Sequence, residues 1–295
     1  MQRKGFLQIL AALPFAPIAM NLNELKHWAD SQPNSTLMPL LFIGHGSPMN
    51  ALADNDFTKA LNKKGAEILH DCRPNAIIVV SAHWLTRGTF IQASAKPKMI
   101  YDFGGFPPEL SMVQYPAPGH PDMAKETSQL LNSAFTTEEW GLDHGAWSVL
   151  KHLFPSADIP VFQMSIDWGK SMDYHFELAQ KLQKLREKGV LIIGSGNIVH
   201  NLELSIPKLW GNDQTPYDWA VEFDEWAKQK MNSGNFESLI QYENAGVAAK
   251  MAVPSPDHYI PMLYTIGAGK SSETLNSFYE SVEYGGISMR CFQMG

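Results

Sequence analysis

The sequence predicts an α/β fold: a single domain with a central, largely parallel β-sheet flanked by helices. Three observations carry that expectation. Short runs that are apolar at every position recur along the chain, and longer amphipathic stretches separate them. No break in composition, internal repeat or low-complexity tract marks a second domain. A strand apolar at every position is covered on both faces, as in a parallel sheet between helix layers. The alternation of strand and helix then gives the class.

Residues 1–37 read as a signal-like leader and linker, and 38–295 as the folded domain. Arg3 and Lys4 precede an apolar run from Phe6 to Met20, interrupted by Pro14 and Pro17. The run is too short to span a bilayer and has the layout of a secretion signal. Arg3-Lys4-Gly5-Phe6-Leu7 is a degenerate twin-arginine pattern, and no A-x-A cleavage site follows. Two readings stand: export to the periplasm by this leader, or a cytoplasmic protein with a loose N-terminal helix. Residues 21–38 are polar and read as a linker.

Four strands follow from apolar runs: Leu40-Leu41-Phe42-Ile43, ending in Gly44; Ala76-Ile77-Ile78-Val79-Val80; Ile159 to Ser165; and Val190-Leu191-Ile192-Ile193, ending in Gly194. A helix is predicted over 173–188. Phe176, Leu178, Ala179, Leu182 and Leu185 form its apolar face, Lys181, Lys184, Arg186, Glu187 and Lys188 its polar side, and Gly189 its stop. Residues 121–133 and 218–232 read as helices on the same grounds.

Composition narrows the function. Of 295 residues, 44% are hydrophobic and 18% charged, which fits a globular chain and excludes a disordered, collagen-like or coiled-coil one. Lys and Arg total 23 against 30 Asp and Glu, a net charge of -7 with no basic run, which argues against a nucleic-acid partner. Cys72 and Cys291 are far apart, so neither a disulfide framework nor a cysteine zinc module is expected.

The ten histidines carry the chemistry. Ligands of open α/β sheets bind beyond the carboxyl ends of the strands. His45, His83 and His200 follow the first, second and fourth apolar runs. His144 precedes a glycine at the start of a helix, and His258 lies in a Pro-bounded turn. Glycines beside them (Gly44, Gly46, Gly194, Gly196) permit unusual backbone angles and close approach. Histidines converging from several strand ends can hold one metal on a rigid frame with positions left open. Any one of them alone is more simply a hydrogen-bonded loop residue. His27 falls in the linker, His70, His152 and His175 in helices as surface or packing residues, and His120 has no assigned role. Gly194-Ser195-Gly196 fits no nucleotide motif, and Ser47 and Ser195 lack a GxSxG elbow. Tyr101 to Pro108 and Tyr115 to Gly119 read as lid-like loops. Trp84, Trp140, Trp147 and Trp168 read as core. Trp84 and Trp147 adjoin histidine motifs, where a flat aromatic ligand would fit.

Seven motifs in order, Gly44-His45-Gly46-Ser47-Pro48-Met49-Asn50, Ser81-Ala82-His83-Trp84, Tyr101 to Pro107, Tyr115 to Gly119, Asp143-His144-Gly145-Ala146-Trp147, Gly196 to Asn201 and His258-Tyr259, resemble the class III extradiol ring-cleavage dioxygenases, in the DOPA 4,5-dioxygenase-like branch. The resemblance runs from about Met38 to the C-terminus. It implies His45, His83 and His258 as metal ligands, His200 as the acid–base histidine and a further candidate ligand, and His144 as a catalytic histidine near substrate and oxygen. Protocatechuate-type members use a glutamate as third ligand, and here His258 stands at that place. The implied cofactor is one divalent metal per chain, Zn(II) or Fe(II), with Fe(II) needed for oxygen chemistry. The implied partners are a small catechol such as DOPA and O2, with no nucleic acid and no membrane span. Two alternatives on the same fold are a zinc-dependent hydrolase, using zinc-bound hydroxide, and a non-catalytic metal-binding protein.

Overall fold

A computed structural model describes residues 37–295, so the leader, its export reading and His27 lie outside the described residues. The strands are β1 (Leu40–Gly44), β2 (Ala76–Thr86), β3 (Thr89–Gln92), β4 (Ala134–Thr137), β5 (Val161–Asp167), β6 (Val190–Gly196), β7 (Leu275–Tyr279), β8 (Val282–Glu283), β9 (Ile287–Ser288) and β10 (Cys291–Met294). The helices are α1 (Asp56–Asp71), α2 (Pro121–Leu131), α3 (His144–Leu153), α4 (Met172–Arg186), α5 (Leu202–Trp210), α6 (Asp218–Asn232), α7 (Phe236–Ile240), α8 (Val247–Ala252) and α9 (Ile260–Gly267).

Eight strands form one sheet in the order β4-β3-β5-β2-β6-β1-β10-β7. Its centre, β5-β2-β6-β1, is parallel throughout. Antiparallel pairings join β3 to β5, β10 to β1 and β7 to β10. The fold class is therefore the expected one, with β3, β4, β7 and β10 added beyond the predicted strands. Those strands are short, four or five residues each, and carry no long apolar run.

The both-sides-apolar pattern has a direct structural cause. Side chains alternate across a strand. Leu41, Ile43, Ile77, Val79, Leu191 and Ile193 pack on one face with Phe57 and Leu61 of α1 and Trp147 and Leu150 of α3. Leu40, Ile78, Val80, Val190 and Ile192 pack on the other with Leu178, Leu182 and Leu185 of α4 and Tyr264 of α9. Each such fully buried side chain contributes about 1.5–3 kcal/mol. A third cluster joins Phe223 and Ala227 of α6 to Leu239, Ala249, Tyr259 and Leu263.

Helix ends follow local chemistry. Asn55 caps α1 by accepting from the Thr58 N–H at 2.9 Å, and the Thr58 hydroxyl accepts from the Asn55 N–H at 3.0 Å. Ser171 caps α4. His120 caps α2 through Nδ1, at 3.3 Å from the Met123 N–H.

Two expectations are corrected here. Arg186, placed on the polar side of its helix, is buried. It reaches inward to Glu273 at 2.7 and 2.8 Å and to the Met38 carbonyl at 2.6 Å. A guanidinium tolerates burial when its fork is this fully paired. Trp168, expected in the core, is 58% exposed, just past the end of β5. No helix among the described residues is long and apolar enough to cross a membrane.

Candidate metal centre

Strand order decides where the histidines meet. β6 lies between β1 and β2, so residues at the carboxyl ends of β1 and β2 are about 10 Å apart at the backbone, two strand spacings. Their side chains meet over the end of β6. His45 follows β1, its N–H donating to the Gly196 carbonyl at 3.0 Å. His83 lies inside β2 rather than after it. The β2–β5 register shifts between Val80 and Leu85, the stretch that holds His83. His144 opens α3, whose N-cap is Asp143. His200 and His258 come from the loops after β6 and before α9.

Alternation along β6 serves both sides. Gly194 and Gly196 face the α9 segment, and a Cβ at Gly196 would overlap the His258 carbonyl, which accepts from the Asn197 N–H at 2.9 Å. Ser195, between them, points the other way and meets His45. Gly46 takes φ +60°, a left-handed angle that releases the chain from β1 into its short 3-10 turn.

The structure brings all five predicted histidines onto one cavity of about 400 Å³, within the size range of small-molecule sites. Ring centroids of His45 and His83 are 5.0 Å apart, of His83 and His144 3.9 Å, of His83 and His258 5.0 Å, and of His45 and His258 5.3 Å. His200 stacks on His258 at 3.5 Å. Two tight donor groups emerge: His45, His83 and His144, and His200, Asp257 and His258.

The hydrogen bonds fix which nitrogens are free. Ser195 Oγ donates to the Gly145 carbonyl at 2.6 Å, so it accepts from His45 Nδ1 at 2.9 Å. Asp257 accepts from His258 Nδ1. Asp102 places one carboxylate oxygen 3.4 Å from His83 Nδ1 and the other 3.0 Å from His144 Nδ1, and also accepts from the His144 N–H at 2.9 Å. The bonds at Nδ1 of His45 and His258 turn the Nε2 of each toward the cavity. His45 Nε2 and His83 Nε2 are 3.2 Å apart. Two nitrogens on one tetrahedral ion with bonds near 2.0–2.1 Å are about 3.3 Å apart, so this spacing is the one a shared metal would take. The donor set fits a divalent metal.

Electrostatics agree. Burial, then repulsion from the neighbouring imidazoles, holds His45 and His83 well below the ordinary histidine range. Burial, then His258, takes His200 down to about 2. These imidazoles are neutral, the form that ligates. Burial pushes the Asp102 and Asp257 carboxyls up, but the bonds from His144 and His258 outweigh it and both lie below the usual range.

Several readings change with the structure. Ser195 is fully buried and holds an imidazole, and Ser47 caps the 3-10 turn, accepting from the Met49 N–H at 3.3 Å. Neither is placed as a nucleophile. Trp147 is buried and donates to the Ile100 carbonyl at 3.0 Å, while Trp84 stacks on Trp140. The aromatics that line the cavity are instead Phe103, Phe106 and Tyr284. His152 bonds the Asn50 carbonyl at 2.8 Å, His175 bonds the Tyr264 hydroxyl at 3.0 Å, and His70 is a surface residue beside Asp71. Sequence reasoning gave no role to Asp102, Asp257 or Asp143. Asp143 is anchored by Ser81 at 2.7 Å and Gln163 at 2.8 Å. A carboxylate directly before His144 and another before His258 were the available signals.

Comparisons with known proteins converge on one family. The model of the catalytic LigB subunit of aromatic ring-opening dioxygenase matches residues 39–292. A 4,5-DOPA dioxygenase extradiol of Escherichia coli (strain K12) is 44% identical over 269 residues, covering 89% of this chain and 96% of that protein. A protein of the same name from Beta vulgaris is 36% identical over 251 residues, covering 83% and 92%. A crystal structure of an uncharacterized protein from Escherichia coli K12 superposes with a TM-score of 0.76 at 39% identity, covering 88% of this chain and 100% of the other. With its five imidazoles on one cavity and this match over nearly its whole described length, the chain belongs to the class III extradiol ring-opening dioxygenases, in their 4,5-DOPA dioxygenase-like branch.

Proposed function

We propose that residues 38–295 form a catalytic domain that binds one divalent metal on His45, His83 and His258 and, with Fe(II), opens a catechol ring with O2 beside its two hydroxyls. The observation that supports this most is the 3.2 Å separation of His45 Nε2 and His83 Nε2 within five imidazoles that line one cavity. Bound iron would supply a redox-active Lewis acid where catechol oxygens and O2 meet. The protein's own groups do the rest. His200, neutral and at the cavity wall, accepts the phenolic proton and returns one as the ring opens. His144, beside Asp102 on the cavity wall, forms a hydrogen bond with the bound oxygens. Phe103 and Phe106 shield the ring from water. The carbon–carbon bond next to the diol breaks, and both atoms of O2 end in the product.

Three imidazoles also suit Zn(II), which lacks accessible redox chemistry, so the metal decides between this reading and a zinc hydrolase or a non-catalytic binder. Metal-stripped protein is reconstituted anaerobically with Fe(II) or Zn(II), and oxygen uptake is followed with catechol and DOPA. Uptake with Fe(II) alone, and a yellow ring-opened product, supports the proposal. Ester or amide cleavage with Zn(II), and no uptake with Fe(II), overturns it. His200→Ala is expected to keep most of the metal while losing turnover.

A further inference from the structure

β9 meets the cavity at His200. Residues 286–288 run antiparallel beside 199–201, with Ile287 opposite His200. The Asn201 N–H donates to the Gly286 carbonyl at 3.0 Å and the Ser288 N–H to the Val199 carbonyl at 3.0 Å, one bond on each side of His200. Ile287 and His200 both line the cavity. Side chains alternate across a strand, so Ser288 turns the other way, and it is fully buried. Its hydroxyl donates to Asp224 Oδ1 at 2.5 Å and accepts from the Arg290 N–H at 3.3 Å, and its carbonyl accepts from Asn197 Nδ2 at 2.8 Å. Asp224, a buried residue of α6, is itself fixed by the Arg290 guanidinium, whose Nε lies 3.1 and 3.2 Å from its two oxygens. Arg290 is paired in turn with Glu280 at 2.6 Å.

Resting on the proton-transfer role given to His200 above, we propose that Ser288 is a positioning residue for His200: its hydroxyl locks β9 to the Asp224–Arg290 pair, and β9 holds the backbone on either side of the imidazole. The ring itself leans on His258 by stacking at 3.5 Å, so its place on the cavity wall follows the backbone that carries it. A group that transfers a proton must stay within hydrogen-bond reach of its target. A displacement of about 1 Å caused far from the chemistry can cost about 100-fold in rate. Ser288, Asp224 and Arg290 do not line the cavity, so they act through His200 without touching substrate. Alanine at 288 leaves the Asp224–Arg290 pair in place and removes the side-chain link between Asp224 and β9.

Ser288→Ala is tested in the Fe(II)-loaded full chain beside Thr58→Ala, which opens the capping box of α1 and weakens the fold elsewhere. In Ser288→Ala, kcat for catechol is expected to fall about 10–100-fold, with KM within about twofold and metal content unchanged. Ser288→Cys, similar in size but with a weakly donating thiol, is expected to show the same loss. Thr58→Ala is expected to lower the urea midpoint and leave kcat at the parent value. A second readout needs no oxygen chemistry. In Zn(II)-loaded protein with isotope-labelled histidine rings, the NMR signals of His200, assigned by their loss in His200→Ala, are expected to shift or broaden in Ser288→Ala while the remaining ring signals hold. A kcat within twofold of the parent, loss of the metal, or unmoved His200 signals overturns the proposal. Moved His200 signals in a chain whose parent turns over no catechol keep the positioning of His200 and sink the catechol reading instead.

Discussion

Replacing Ser195 by alanine separates metal-site design from catalysis, because Ser195 does not line the cavity. Its Oγ accepts from His45 Nδ1 at 2.9 Å and donates to the Gly145 carbonyl at 2.6 Å. Alanine removes both bonds where water does not enter. Each stranded group costs roughly 1–3 kcal/mol. The carbonyl belongs to the residue after His144, so its shift is felt at two imidazoles. His45 also loses the contact that fixes its tautomer, and loss of such an orienting partner lowers metal affinity about 10–100-fold. Ser195→Ala is therefore expected to unfold about 2–4 kcal/mol more easily in urea. Its Kd for Zn(II) or Co(II), measured by competition with a chelator, is expected to rise about 10–100-fold. Affinity within twofold of the parent, in a protein that has lost stability, would show that Ser195 supports the fold without aiming His45.

Asp102→Asn keeps the shape but removes the charge shared by His83 and His144. Turnover is expected to fall about 10–100-fold with metal partly retained, and unchanged kcat with full metal content would refute a positioning role. His45→Ala is expected to lose stoichiometric metal by elemental analysis, and a full complement would remove His45 from the ligand set. Gly196→Ala drives a methyl into the His258 carbonyl and is expected to cost about 1–3 kcal/mol, visible as a lower urea midpoint. His175, outside the metal centre, gives a pH-dependent signature. Burial lowers its pKa from 6.5 to about 4, so the unfolded chain takes up a proton before the folded one does. The stability this provides is complete above pH 6.5 and drains as pH falls toward 4, by about 3 kcal/mol. Urea unfolding at pH 7 and pH 4 is expected to show that loss in the parent and to show it diminished by a similar amount in His175→Leu. Equal slopes in the two proteins would sink the assignment.

The parallel centre of the sheet was legible because its physics is local: the short β-branched run Ile77-Ile78-Val79-Val80 favours a strand, and its side chains divide between the two cores. The candidate histidines were legible because strand ends are where such folds bind ligands. What local pattern could not convey was pairing. Arg186 looks like helix surface until Glu273, far along the chain, is brought beside it. Ser195 is a serine between two glycines without an assigned role until β6 is set between β1 and β2 and its hydroxyl meets His45. Asp102 sits in a loop of aromatics and glycines, and only the fold shows that its carboxylate spans two histidines.

The same contrast explains how the centre is held. A cluster of five imidazoles drawn from separate elements brings two of its nitrogens within 3.2 Å of each other. Its order must come from outside the ring set. Three different devices provide it: a serine hydroxyl for His45, an adjacent aspartate for His258, and one shared carboxylate for His83 and His144. Each is anchored on a different part of the frame, namely β6, the turn before α9 and the 101–107 loop. Independent anchoring lets one imidazole be perturbed without releasing the others, so damage to any single support should grade metal affinity downward rather than abolish it. His200 has no hydrogen-bonding carboxylate of this kind and leans on His258 by stacking alone, with its backbone N–H tied to the Ala252 carbonyl at 2.8 Å. A ring held by its backbone and by one face keeps both nitrogens uncommitted, which is what a group that takes up and returns a proton requires.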